Sequence, residues 1–289
     1  MGTSQSSKGP VGGVPMVPPW VPDPVPPTPI PGDDGAALGD DDQDGQQPAP
    51  VTQQPAPVPM LSPIAPPARF GGARRSLGNF ARTGDSSDLR TGLRHYVRRG
   101  YGGSGTAVKR FAGTATTAGG LYGALSATAS GQAVSPGSIL DPVLLSGRSA
   151  REIMDAVVEV VRPADGTQDA EASRVAIKDA LSELLTRFPQ ADLINLSEDE
   201  RAFAIERFVA IDIFQRLQLD LGKAIQDKAP TAVAGLARLK QVKDYVKEAV
   251  SAAFRKLRNA GSSVTTSRVN DVVNAALGET FQVFEGYVK

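Results

Sequence analysis

From Arg148 onward, apolar residues recur at the three-and-four spacing of one helix face, broken only by Pro163, Pro189 and Pro230. No alternating Val/Thr/Tyr run signals a strand there. The first predicted helix, Ser149 to Val161, carries Ile153, Ala156, Val157 and Val160 on one stripe and stops before Pro163. The second, Ala170 to Phe188, carries Val175, Ile177, Leu181, Leu184, Leu185 and Phe188 and is closed by Pro189. A third opens on the capping box Ser197-Glu198-Asp199-Glu200, whose hydroxyl and carboxylate each satisfy a backbone N–H of the other. Two stripes run along it, Ala202, Ile205, Val209, Ile213 and Ala210, Phe214, Leu217, Leu221, so it is expected at the centre of the core. A fourth, Thr231 to Arg258, has a seam of Leu236, Leu239, Val242, Val246, Val250, Ala253 and Leu257. The fifth, Thr266 to Leu277, is followed by an apolar tail of Phe281, Val283, Phe284, Tyr287 and Val288 that must pack somewhere. The pattern predicts a mainly α protein whose residues 148–289 form a bundle of five or six helices.

Upstream the periodicity weakens. Ser86 or Ser87 is placed to cap a helix through Leu89, Leu93 and Val97, with Arg90, Arg94 and Arg98 on neighbouring faces and Gly100 ending it. Residues 111–140 carry no charge, a length sufficient to span a bilayer, and Gly119 and Gly123 form a G-x-x-x-G pair. The stretch is nevertheless rich in Ala, Thr, Ser and Gly and poorly hydrophobic for insertion. Close packing of a helix or partner on small residues is the preferred reading, and conditional membrane contact through 111–140 the weaker one.

Residues 1–68 hold eighteen of the 23 prolines, and nearly every second residue from Val14 to Pro31 is Pro. Fixed φ and missing donors favour polyproline II, and the stretch cannot bury enough apolar surface to offset its chain entropy. It is expected to be a long disordered arm. The chain therefore divides into this Pro/Asp-rich arm (1–68), a basic Gly/Arg-rich and then small-residue segment that is partly helical (69–147), and the bundle (148–289). Trp20, the sole Trp, sits in the arm beside Pro18 and Pro19. One reading makes the arm a spacer. The other makes Trp20 and its prolines a motif that docks in a partner's groove with little ordering cost.

Charge sharpens the division. Lys+Arg and Asp+Glu balance at 31 each, yet residues 1–68 carry one Lys against seven Asp, while 69–110 carry ten Lys/Arg against Asp85 and Asp88. In the basic segment, Arg74, Arg75, Arg94, Arg98 and Arg99 stand among Gly and the aromatics Phe70, Phe80, Tyr96 and Tyr101. That composition suits phosphate neutralisation and base stacking, hence a nucleic-acid contact. It equally suits a helix with a solvated basic face, or a site for an acidic protein partner. The basic outer face of the fourth helix, from Arg238 to Arg258, carries the same ambiguity.

No Cys and a single His, His95, exclude disulfide scaffolds, Cys-based zinc sites, Cys nucleophiles and any site needing two histidines. His95 has no triad or dyad partner by spacing and reads as a surface or packing residue. Gly102-Gly103-Ser104-Gly105 fits neither a P-loop nor a nucleophile elbow. A non-catalytic protein with no cofactor and no metal is expected. The Val/Pro alternation after Lys8 is no secretory signal, so the cytoplasm is the expected location. Removal of Met1 before Gly2 would leave a flexible, unhindered glycine amine. Gly2 to Ser6 also fits the myristoylation pattern, although one acyl chain anchors marginally and the acidic linker opposes an anionic membrane.

The stretches MGTSQSSKGP, PMVPPWVPD, ARFGGARRSLGNFARTGD and LRHYVRRGYGGSGTAVKRFAGTATTAGGLYGALS, followed by a helical C-terminal half, resemble the QatB family of the bacterial Qat antiphage defence system. The likeness spans most of the chain and is most specific in residues 1–20 and 69–126. The resemblance implies an ATPase (QatA), a QueC-like enzyme (QatC) and a TatD-like nuclease (QatD) as partners. It further implies Gly2 as an acceptor for deazaguanine conjugation by the QueC-like partner, with Thr3 and Ser4 as recognition positions. On this reading the helical half assembles with the ATPase or with itself. A nucleic-acid-binding adaptor using 69–110 remains the alternative.

Overall fold

The computed structural model describes residues 68–287, and all regular structure among them is helical. The helices are α1 (Gly71–Thr83), α2 (Ser86–His95), a π-helical turn (Tyr96–Tyr101), α3 (Ser104–Arg110), α4 (Ala112–Ala129) and α5 (Pro142–Leu145). They continue with α6 (Ala150–Val161), α7 (Gln168–Arg187), α8 (Glu198–Lys228), α9 (Ala232–Asn259) and α10 (Val269–Glu285). Gly2, Thr3, Ser4, Pro18, Pro19 and Trp20 lie outside the described residues, as does Val288.

The helix starts follow local chemistry. Ser149 and Ser197 each close a full capping box, with Glu152 and Glu200 returning the bond. Thr167 and Thr231 cap α7 and α9 by accepting from Ala170 and Ala234 N–H. At α2 the cap is Asp85 instead of Ser86 or Ser87: its carboxylate accepts from the Ser87 backbone and hydroxyl, satisfying two donors where a serine accepts fewer.

The centre is α8. Its 31 residues bury Ile205, Phe208, Ile211, Ile213, Phe214, Leu217 and Leu221 around most of the circumference, with α7, α9, α1 and α4 packed against it. The two stripes expected on the third helix thus lie where two-sided apolarity places them. The seam of α9 holds from Leu239 to Ala253, whereas Leu236 is 64% exposed and the adjacent Gly235 is buried instead. Val175 likewise faces out of α7. The fifth helix is longer than its periodicity indicated. α10 starts at Val269 and continues to Glu285, which buries Phe281 and Phe284 completely and gives the apolar tail its place.

The small-residue stretch forms α4, whose Ala115, Ala118, Leu121, Tyr122, Ala124 and Leu125 are buried against α8, α10 and α6. A Cβ on Gly119 would meet Asn270 Oδ1 of α10 at 2.3 Å, whereas one on Gly123 would meet nothing within 4 Å. One glycine of the pair therefore serves close approach and the other does not. Among the described residues, no helix is long and apolar enough to cross a membrane.

Candidate functional site

Two acids on α8 organise its contacts with the N-terminal helices. Asp220 is 9% exposed and accepts from Tyr96 Oη at 3.0 Å and Tyr101 Oη at 3.2 Å. Both tyrosines come from the π-helical turn, which continues α2 past the expected stop at Gly100. The wider π turn brings the two rings edge to face at 5.1 Å and lets Phe70 stack on Tyr96 at 5.3 Å. A Cβ at Gly100 would fall 2.4 Å from the Phe70 ring, so glycine is required for this stack and not to end a helix. Arg69 lies over Phe70 at 4.5 Å, and Arg74 donates to the Asp220 carbonyl at 3.3 Å. Burial raises the Asp220 carboxyl above its ordinary pKa, against the lowering effect of the tyrosine hydrogen bonds. Burial raises both phenols above theirs, reinforced by Asp220 and, for Tyr96, by Tyr101, whereas the Tyr96 hydrogen bond works to lower Tyr101.

Asp212 is fully buried. Thr114 Oγ1 of α4 and Ser173 Oγ of α7 donate to it at 2.6 Å each, and Arg216 Nε pairs with it at 3.3 Å. Three helices thus meet on one carboxylate, with Arg216 also lying over Phe111 at 5.0 Å. Both oxygens of Asp212 accept from other helices, and Oδ2 of Asp220 accepts from both tyrosines, so the two acids act as clamps between helices. The signal for them in the sequence was the isolated acid within apolar surroundings, in Ala210-Ile211-Asp212-Ile213-Phe214 and Leu219-Asp220-Leu221.

The candidate arginines separate by environment. Arg74 is committed to α8, and Arg94 is half-buried, while Arg75, Arg98 and Arg99 are exposed. Arg82, Arg90, Lys109 and Arg110 are exposed as well. Among the described residues, no Lys or Arg of 69–110 lies in an ion pair; every pair involves residues from 148 onward. On α9 the reverse holds. Lys243 pairs with Asp179 at 3.1 Å and Lys247 with Glu183 at 2.8 Å, tying α9 to α7, while Lys240 and Lys256 pair with Asp244 and Glu279. The two basic faces that looked alike in sequence differ in that α9 pairs four of its cations within the fold, leaving Arg238, Arg255 and Arg258 without an ion pair among the described residues.

His95 is half-buried with its ring against Gly72. The Gly102-Gly103 turn, with φ of 82° and 103°, opens α3, where the Ser104 N–H donates to Glu285 at 2.9 Å. That backbone hydrogen bond lowers the Glu285 pKa. Among the described residues, no group of three or more His, Cys, Asp or Glu is placed to hold a metal.

A family model described as "Qat anti-phage system associated protein QatB" matches residues 102–284, from the glycine that ends the π turn to the last turn of α10. No curated protein and no solved structure matches the chain.

Proposed function

Because the chain belongs to the QatB family, and so to the Qat anti-phage system, we propose that it is a non-catalytic subunit of that system, acting in the cytoplasm. Its Gly2 amine is the acceptor for deazaguanine conjugation by a QueC-like partner, and its helical bundle assembles with an ATPase partner. The sequence Met1-Gly2 on a Pro-rich arm is the observation that carries the conjugation reading. Thr3 and Ser4 are the recognition positions, and Trp20 with Pro18 and Pro19 is the docking motif. The assembly reading is supported by exposed apolar side chains: Val143 and Leu144 on α5 are 80% and 61% exposed, and Val233 and Leu236 share one face of α9 at 77% and 64%. A TatD-like nuclease completes the set of proposed partners.

The test is the intact mass of the full chain purified from cells carrying all components of the system, compared with the chain expressed alone. A deazaguanine-sized increase mapping to Gly2 is expected only in the first sample. Equal masses, together with undiminished defence by Gly2→Pro, would overturn conjugation.

A second reading, a nucleic-acid adaptor, is favoured by the unpaired basic surface of 69–110. Affinity for DNA or RNA is then expected to fall with salt at a log–log slope of about −0.9 for each duplex phosphate neutralised. Arg98→Ala with Arg99→Ala would flatten that slope, and Lys243→Ala would not. Absence of binding at low salt removes this reading.

A further inference from the structure

At one end of the bundle the C-termini of α7 and α9 meet the N-terminus of α8 around a cleft of about 520 Å³. That size falls within the range of small-molecule sites, roughly 300–1,000 Å³. Phe188 and Phe203 line it as a perpendicular pair with centroids 5.4 Å apart, both half-buried, so each leaves ring surface for a flat ligand. Arg207 lies over Phe203 at 4.9 Å and faces Glu183, while Glu206 accepts from Ser251 Oγ. Those two charges are used within the fold. Four others on the lining are not: Arg187 and Arg258 are exposed cations, and Glu198 and Asp199 are exposed acids, with no ion-pair partner among the described residues. Arg187 does lie against the ring of its neighbour Phe188, at 5.8 Å.

Aromatic surface flanked by unpaired charges of both signs complements a flat ring carrying an anion at one end and an N–H₂ donor at the other. The geometry points to a nucleotide site here: a nucleoside monophosphate whose base carries an exocyclic amino group. The base rests on Phe188 and Phe203, the phosphate meets the Arg187 and Arg258 guanidiniums, and the amino group donates to Glu198 or Asp199. An exocyclic carbonyl in place of the amine would set an acceptor against a carboxylate, so the site is expected to reject such bases. This site is independent of Gly2 and of the basic surface of 69–110.

Calorimetric titration of the full chain, expressed alone, with AMP and with IMP tests the proposal. These ligands differ at the exocyclic position that the carboxylates would read. AMP is expected to bind, and IMP about tenfold or more weakly, the effect of one lost hydrogen bond to a charged group. Arg258→Ala and Phe203→Leu are each expected to weaken AMP by a similar factor while leaving the helical circular dichroism unchanged. Arg98→Ala is expected to leave AMP binding as it was. No AMP binding at millimolar concentration overturns the site. Binding that responds to Arg98→Ala but not to Arg258→Ala overturns it in favour of the basic surface, and equal affinity for AMP and IMP overturns the amine-reading half.

Discussion

Tyr96 and Asp220 stand 124 residues apart and are joined by a buried hydrogen bond of 3.0 Å. With Tyr101 on the same carboxylate and Arg74 on the same residue's carbonyl, the bond fastens the α1–α2 hairpin and its π turn to the C-terminal third of the central helix. Removing the carboxylate leaves two phenols without their acceptor. Asp220→Ala is expected to cost about 1–3 kcal/mol, because the phenols lie 3.3 Å apart and one can donate to the other while the second hydroxyl is left without an acceptor. Chemical denaturation would read this as a lowered midpoint, and an unchanged midpoint would refute the clamp.

The same residue makes a pH prediction. Its folded pKa is raised by burial, so the native state binds this proton more tightly than the unfolded chain. Stability attributable to Asp220 is therefore full below the unfolded pKa and is lost as pH rises through the folded one. Asp220→Asn keeps an oxygen for the tyrosines and removes the charge. It is expected to be at least as stable as the parent at pH 7 and to lack this decline with rising pH. A variant that keeps the decline would show that another group causes it.

Asp212 behaves differently because its charge is paired. Asp212→Ala leaves Arg216, 14% exposed, without its closest partner and strands the Thr114 and Ser173 hydroxyls. A loss of about 3–5 kcal/mol is expected. Ser173→Ala, which removes one donor and leaves the ion pair, is expected to lose about 1 kcal/mol. Thermal unfolding of the two variants tests the order, and a larger loss for Ser173→Ala would contradict it.

Glycines that look equivalent in sequence should respond in opposite directions to alanine. At Gly92 a Cβ would sit 2.6 Å from Leu77 Cγ in the contact between α1 and α2, and Gly92→Ala is expected to destabilise by about 1–3 kcal/mol. At Gly123 it would meet open space within α4, so Gly123→Ala is expected to stabilise by up to about 1 kcal/mol through helix propensity. Equal denaturation midpoints for the two variants would count against the packing described for α2.

Helix periodicity, capping boxes and prolines by themselves determined that the chain from 148 onward is helical, where three of its five helices begin, and that α8 lies at the centre. Those are properties of a few neighbouring residues. Ser197 needs only Glu200, and a stripe needs only its own helix. Family resemblance was legible for a similar reason, since it rests on runs of adjacent residues such as those from Leu93 to Ser126.

What only the tertiary structure decided involves partners far apart in the chain. No local rule says that Lys243 and Lys247 are neutralised by α7 while Arg98 and Arg99 have no ion-pair partner among the described residues. The basic, glycine-rich stretch from Arg69 has a weak apolar pattern, yet it contributes a helix to the core. Its Leu77 and Phe80 find burial against α2 and the bundle, and Gly78 lets α1 approach Lys228 and Ala224 of α8. Leu236 reads as seam and stands exposed, with the adjacent Gly235 buried instead, because burial depends on which side of that turn its neighbours cover. The lone acids Asp212 and Asp220 had no visible partners along the chain. The hydroxyls and cations that offset their desolvation come from other helices, and such pairing exists only once those helices are packed.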